Sequence, residues 1–404
     1  MNLNSLKAKQ KISLTSFIAV FLFADLVTMQ YLQSSMYTLI QYISLAIVVG
    51  YVLLKIKYVR VQDYIFLAAT FVLACSIVIS SYVNHINPAA LRSCIYYAAL
   101  IFAMCIFLVE AGNMGKLDKA LFGGKLYLLV VLGLNDLLMV AMPETFYNIS
   151  GRDIGTTLLG NKFNVSYAHL ILMFILIFEE KNEKKRNKKV IIYAILMSIL
   201  CAFVDCNTTL LACWVFVILY FLPEHLKMVA SKPIVFIVIF FLSGFLLLSF
   251  SSILTWGPVK HLIVDVLHRD ATLTGRMQVY SYIYRIVFQK KWLGYGYETN
   301  IVLSTSKWYA NAQNALWDFI ICYGFITATV LTVYMMMSVF RYFKYNKKEI
   351  KKSSWIIFSM LYVYIFMGIG EITYNKQFFF FIAVLWACCS VKSNNTRRKK
   401  VRIR

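Results

Sequence analysis

From Ile12 onward the chain is a succession of apolar stretches broken by short polar segments, and most stretches approach the ~20 residues that a bilayer-spanning helix needs. That pattern constrains the fold more than any motif does. Candidate spans run over 12–32, 34–56, 64–83, 91–110, 125–143, 163–179, 190–205, 208–222, 234–254, 314–340, 355–372 and 377–391. Twelve spans use ~240 residues, about the share of the 404 residues that is hydrophobic, 60%. The expected fold is an all-α polytopic membrane protein of about 12 transmembrane helices. It forms a single integral membrane domain over 1–404, with one large extracytoplasmic loop over 256–314 that bears short interfacial helices. A count of ten or eleven spans stays open, because the seventh and eighth are short and separated only by Asp205, Cys206 and Asn207. Lys7, Lys9 and Lys11 precede a first apolar run longer than a signal-peptide core, so a retained first helix is expected.

The 41 Lys and Arg against 18 Asp and Glu give a net charge of +23. In a soluble protein that excess points to nucleic acid, but here the charges have to be sorted by loop. A cytoplasmic N-terminus places basic clusters on every inside segment, most strongly Lys181 to Lys189, Arg341 to Lys352 and Arg397 to Arg404. These are expected to be topology anchors, with both termini cytoplasmic and no nucleic-acid partner. The exception is the long outer segment. Between Trp256 and Asn314 it holds Lys260, Arg269, Arg276, Arg285, Lys290, Lys291 and Lys307 against Asp265, Asp270 and Glu298. Orientation does not require positive charge there, and an anionic substrate at the outer surface accounts for it.

Within this segment Thr274 and Gly275 precede a helical stretch from Arg276 to about Phe288, with Val279, Ile283, Ile286 and Val287 forming an apolar stripe. Such a helix suits the membrane interface. Arg276 and Arg285 lie ~180° apart around its axis, so they serve two groups or one of them is structural. Arg276 also falls in the first turn, where free N–H groups and the helix dipole favour a phosphate. Next, Gly294 and Gly296 allow a sharp turn and close approach of a ligand to the backbone. No strand and no third glycine complete a dinucleotide fingerprint. The stretch from Asn311 through Gln313 and Asn314 to Asp318 then sets amides and a carboxylate at the start of a span. Asn314 and Asp318 share one helical face.

Three patches resemble the large outer loop of the O-antigen ligase and O-antigen or capsule polymerase superfamily: Thr274-Gly275-Arg276, Gly294-Tyr295-Gly296, and Asn311 to Asn314 before a span containing Gly324. Leu159 to Asn164 resembles that family's Gly-Asn-x-Asn stretch, and Asp205 to Thr209 its polar run at a later hairpin. Arg285, eleven positions ahead of Gly296, reproduces a spacing found in the polymerases. The resemblance implies a metal-independent, inverting glycosyl transfer at the outer face of a bacterial inner membrane, with no cofactor. Its substrate is an undecaprenyl pyrophosphate-linked oligosaccharide, and the implied partners are membrane lipids, a chain-length regulator and a flippase. Guanidinium groups match a pyrophosphate in bidentate forks. Arg276 is the first candidate to stabilise the departing pyrophosphate, ahead of Arg285 and Arg152, with Arg92, Lys162, Arg269, Gly294, Gly296, Gln313 and Asn314 as substrate-binding candidates. Gln313 departs from the pattern, since family members often carry His there and Gln cannot accept a proton at neutral pH. The base role then passes to Asp318, His261, His268 or Glu298, or the reaction needs little base catalysis.

Charged residues in the spans must face protein or water, since each costs ~2.5–3.5 kcal/mol at a helix centre on the insertion scale. Asp25 is expected to be a hydrogen-bonded structural group rather than a proton carrier. Arg92 either helps bind pyrophosphate or pairs with a carboxylate such as Asp136. His85 and His169 read as satisfied structural groups, Glu371 and Lys376 as markers of the last outer turn, and the nine cysteines as core residues. No Gly-x4-Gly-Lys-Ser/Thr, His-Glu-x-x-His or Asp-x-Asp motif occurs, which disfavours nucleotide hydrolysis, zinc hydrolysis and metal-dependent sugar-nucleotide transfer. Two other readings stay open. A ligase shares the donor and differs in acceptor. A flippase or secondary transporter of the same lipid places its charges near the midplane and has short loops on both sides.

Overall fold

The computed structural model describes residues 13–32, 34–146, 157–249, 257, 261, 265, 276–307, 309–346 and 350–401. These residues are almost entirely helical, and no strand occurs among them. The first half holds α1 (Leu14–Leu26), α2 (Ser35–Lys55), α3 (Val61–Val83), α4 (Pro88–Asn113), α5 (Leu117–Ala141), α6 (Pro143–Phe146), α7 (Lys162–Phe178) and α8 (Glu183–Phe203). Then come α9 (Asn207–Phe221), α10 (Glu224–Ala230), α11 (Pro233–Ser249), α12 (Arg276–Gln289), α13 (Ile301–Ser306), α14 (Ala315–Tyr345), α15 (Lys352–Met367) and α16 (Lys376–Val401). Each apolar run picked out in the sequence overlaps a helix among the described residues, though 12–32 and 355–372 extend past helices ending at Leu26 and Met367.

Five helical segments are long and apolar enough to cross a membrane: Ser35–Tyr58, α3, α4, α5 and α14. Shorter apolar helices accompany them at α1, α7, Pro233–Leu246, α15 and Lys376–Ser390. Helices α9 and α10 meet at a bend of 117°.

Many helices start where a short polar side chain can take up an orphan N–H group. Ser13, Ser34, Asn87, Asn161, Asn182 and Asn314 each cap a helix by accepting from the backbone N–H three residues on. Pro88 follows Asn87 at the first helical position, where its missing N–H costs nothing.

The centre of the bundle is α4 against α16, flanked by α3, α14 and α15. Along α16 every residue from Phe378 to Leu385 is fully buried. Lipid solvates a Leu side chain as well as another helix does, so close backbone approach matters more here than in a water-soluble core. Gly112 of α4 shows this, because a Cβ there meets Ala387 O at 2.7 Å. The outer helices leave Leu39, Ile40, Leu53 and Leu54 of α2, and Ile234, Val238 and Leu242 of α11, exposed. An apolar rim of this kind fits a hydrocarbon surround.

The two ends of the bundle differ in charge. At one end gather Lys55, Lys57, Arg60, Lys116, the polar start of α8, the start of α10, Arg341 and Lys352, tied by Lys125–Glu179, Lys189–Glu180, Lys227–Glu224 and Lys352–Glu183 pairs. A buried lock sits there. Asp63, fully buried at the start of α3, accepts from Arg341 Nη1 at 2.8 Å, Trp386 Nε1 at 2.9 Å and Asn113 Nδ2 at 2.8 Å. The Arg341 guanidinium also lies 4.0 Å above the Trp386 ring, and Trp386 stacks on Phe66. Four helices, α3, α4, α14 and α16, are thereby pinned through one carboxylate. The opposite end, the polar end, has fewer basic residues among those described: Arg92, Lys162, Arg276, Arg285, Lys290, Lys291, Lys307 and Lys376.

All nine cysteines are free thiols, six of them buried. Asp136 pairs with His169, whose Nε2 lies 3.0 Å from Oδ2, while the other ring nitrogen meets Val165 O at 2.9 Å. Of the two alternatives for Arg92, pairing with Asp136 is not the one seen: Asp136 takes the histidine, and Arg92 stands exposed on α4 with no ion pair among the described residues. Asp25 is fully buried, yet neither carboxylate oxygen has a hydrogen-bond partner of ordinary geometry; its polar neighbours are Tyr96, Ser44 and Lys376.

Candidate functional site

Three sequence patches far apart in the chain meet at the polar end. Asn314, fully buried, caps α14 with its side-chain oxygen and donates from Nδ2 to Ile369 O at 3.1 Å and Ser243 O at 3.3 Å. Ala315 N donates to Gly368 O at 2.9 Å, so the start of α14 is sewn to the turn after α15. That turn carries Glu371, which is 4% exposed and accepts from the Thr208 hydroxyl at 3.2 Å. Thr208 belongs to the α8–α9 hairpin. There Asp205 takes a positive φ of 51° and receives the Lys162 ammonium, at 2.9 Å to its carbonyl and 3.3 Å to its carboxylate. Lys162 opens α7 just after the Asn161 cap, and Asn164 Nδ2 donates back to Leu159 O at 3.1 Å. One chain of contacts thus runs from Asn314 through Glu371 and Thr208 to Asp205 and Lys162.

Glu371 and Lys376 do more than mark the edge of a turn. Glu371 joins two patches, and Lys376 donates to Asp25 O at 2.6 Å, tying α16 to the end of α1. Neither carries a motif signal, and these two side-chain contacts are long-range in sequence.

The segment 311–314 is folded tightly over the first turn of α14. Asn311 Oδ1 accepts from both Gln313 N, at 3.1 Å, and Gln313 Nε2, at 2.7 Å. Asp318 is half-buried; its Oδ1 accepts from Ala312 N at 3.0 Å, so one carboxylate oxygen holds this loop. Gln313 has a positive φ of 50°, and its carbonyl accepts from the Tyr280 hydroxyl at 3.0 Å.

Tyr280 lies on α12, which begins at Arg276 as expected. Val279, Tyr280, Ile283, Ile286 and Val287 are buried, and Tyr284 meets Trp317 edge-on at 5.4 Å. The apolar stripe therefore packs on α14 and is not left to lipid headgroups alone. At 100° per residue, position 276 falls within ~20° of Ile283 and position 285 about opposite. Arg285 is accordingly exposed, with no ion pair among the described residues. The side chain of Arg276, and Arg152, Arg269 and His268 as a whole, lie outside the described residues. His261 is exposed and paired with exposed Asp265, and Glu298 is exposed.

The glycine patch does something its sequence did not announce. Helix α14 is broken at Gly324, where φ is +76° and ψ 175°. Into the break runs the segment from Lys291 to Gly296, paired backbone to backbone. Tyr295 N donates to Ile321 O at 2.9 Å and Gly296 N to Cys322 O at 2.8 Å, while Phe325 N donates to Lys291 O at 2.8 Å. Ser80 of α3 donates to Leu293 O and to Cys322 O, and Ser81 Oγ accepts from Tyr297 N at 3.0 Å. The approach is close enough to require glycine on both strands. A Cβ at Gly324 meets Trp292 O at 2.1 Å, and one at Gly294, where φ is +65°, meets backbone atoms of residues 321 and 322 at 2.6 Å. Gly294 and Gly296 therefore fasten the segment 291–296 into α14, with their N–H groups committed to Lys290 O and Cys322 O.

Lys162 and Asn314 are linked through Asp205, Thr208 and Glu371, Gln313 and Asp318 hold the loop over the start of α14, and Gly294 and Gly296 pack on the same helix at residues 321 and 322. Arg92 and Arg285 are not drawn into these contacts. Among the described residues no group of three or more His, Cys, Asp or Glu is placed to hold a metal ion. No protein-family model matches the chain, and no curated protein matches it.

Proposed function

We propose that the chain is a twelve-span polysaccharide polymerase. It joins undecaprenyl pyrophosphate-linked repeat units at the outer face of a bacterial inner membrane, with both termini cytoplasmic. The observation that carries this reading is the meeting of Leu159–Asn164, Asp205–Thr209 and Asn311–Asn314 at the end of the bundle opposite the basic clusters. Those segments carry the resemblance, and a site assembled from them needs them in one place. The positive-inside rule puts the basic end in the cytoplasm and this site outside.

In this reading the acceptor hydroxyl of one lipid-linked repeat attacks the anomeric carbon of the growing chain, the bond to the carrier pyrophosphate breaks, and the diphosphate leaves with the electron pair. Arg276, at the first turn of α12, stabilises the leaving diphosphate, helped by the free N–H groups of that turn. Lys162 adds positive charge across the site. Arg285, exposed on the far face of α12, pairs with headgroups or the sugar chain. Asp318, at the first turn of α14, and Glu371, in the turn sewn to it, are the candidates to orient or deprotonate the hydroxyl.

A transporter of the same lipid deserves statement because α14 is a discontinuous helix, a feature of transporter binding sites. Against it, the break is filled by residues 291–296, whose one charged side chain, Lys291, is exposed and lies over the Trp292 ring. A deletion strain separates the two: loss of a polymerase leaves single repeat units at the cell surface, whereas loss of a transporter leaves none there.

A further inference from the structure

At the basic end, α8, α9, α10 and α15 enclose a cleft of about 210 Å³ lined by Glu183, Asn187, Tyr220, Phe221, Lys227, Lys352 and Trp355. It lies at the opposite end of the bundle from the site described above. The sharp bend after α9 turns α10 across the end of the helices. Leu226, Met228 and Val229 of α10 are exposed, whereas Lys227 between them is turned inward and only 6% exposed. A helix on the surface of a soluble protein would do the reverse. Apolar residues outward and a lysine inward suit a helix at the bilayer interface, with its cation aimed into the protein.

The cleft is rich in donors. The Lys227 ammonium has three N–H groups, and Glu224 takes one at 3.1 Å. The Tyr220 hydroxyl donates to Asn187 Oδ1 at 2.7 Å and accepts from Arg186 Nε at 3.2 Å, which leaves the Asn187 amide N–H groups pointing elsewhere. Buried Arg186 stands behind Tyr220. Glu183 is the one carboxylate on the wall, and the hydrogen bond from Lys352, with Arg186 and Lys227 nearby, holds it below the usual carboxylate range. Arg186, Lys227 and Lys352 therefore stand against Glu183 and Glu224, an excess of one positive charge, and the ammonium and amide hydrogens beyond those two pairs are available to a further acceptor.

We propose that this cleft binds the phosphate oxyanion of an anionic headgroup, held by Lys227, Lys352 and the Asn187 amide, with the lipid tails running down the apolar flank beside Phe221. A phosphate supplies several acceptor oxygens in a small volume, and basic pockets between helices at a cytoplasmic surface bind such headgroups. The site is independent of the polymerase reading.

The test uses the purified full chain in a neutral detergent, with thermal unfolding followed in added phosphatidylglycerol, phosphatidylcholine or inorganic phosphate. Phosphatidylglycerol is expected to raise Tm above the phosphatidylcholine value. Asn187→Asp, which keeps the side-chain shape and adds a negative charge, and Lys352→Gln, which removes a half-exposed cation, are each expected to weaken phosphatidylglycerol binding about fivefold. Both should leave Tm in phosphatidylcholine unchanged. The same rise with inorganic phosphate alone supports the oxyanion site and identifies a free anion as sufficient. Equal Tm in the two lipids, or an undiminished phosphatidylglycerol effect in both variants, overturns the proposal.

Discussion

Asp63, Gly324 and Arg276 act in three different ways, and a substitution at each reads out a different property. Asp63 is a buried carboxylate fully supplied with donors from Arg341, Trp386 and Asn113. Asp63→Ala leaves the Arg341 guanidinium without its partner, and breaking a buried pair costs about 3–5 kcal/mol. Thermal unfolding in detergent checks this; an unchanged Tm contradicts the lock. Gly324→Ala drives a methyl into Trp292 O and sets a non-glycine residue in left-handed backbone, costing about 1–3 kcal/mol before any backbone shift. Its expected signature is a lower Tm together with faster protease cleavage in 256–314. Arg276→Ala is expected to give short or absent polysaccharide chains with a normal amount of protein in the membrane. Arg285→Ala, on the exposed face of α12, should shorten chains less. Chain length unchanged in Arg276→Ala rejects its assigned role, and surface polysaccharide on a gel reports both.

Among the elements, α12 is the clearest case of a feature readable in advance. Its start at Arg276 and its stripe of Val279, Ile283, Ile286 and Val287 follow from helical spacing. What spacing could not supply was the surface the stripe packs on, since any apolar face, lipid included, satisfies it. Ile283→Ala removes a fully buried side chain between α12 and α14, at a cost of about 2–5 kcal/mol. Protease is then expected to cut between 276 and 289 at concentrations that leave the unaltered chain intact; equal resistance contradicts docking on α14. The pairing of residues 291–296 with the broken α14 was not legible either. Hydrogen bonds between backbones leave no periodic trace, and only Gly324 inside an apolar run hinted at a break. Glu371 and Lys376 were underrated for the same reason: both look like residues of a short turn, and their partners Thr208 and Asp25 are far away in the chain.

Across the whole molecule, the gathering of the basic clusters 181–189 and 341–352 at one end was readable from charge by loop, whereas the meeting of distant patches at the other end needed the fold. The proposed outer site requires that residues 290–314 and the basic segment 181–189 lie on opposite sides of the membrane. Cysteines placed at Ser304 and at Lys185, both at helix surfaces, test this in intact spheroplasts with an impermeant maleimide. Labelling is expected at 304 alone, and labelling at 185 alone inverts the topology. The account as a whole stands on the chemistry, and the most direct measurement is incubation of the purified chain with synthetic undecaprenyl pyrophosphate-linked repeat units, without nucleotide or metal. The predicted result is laddered oligosaccharide products, reduced in Arg276→Ala, with release of the carrier pyrophosphate. Recovery of unextended repeat units alone from folded protein contradicts it.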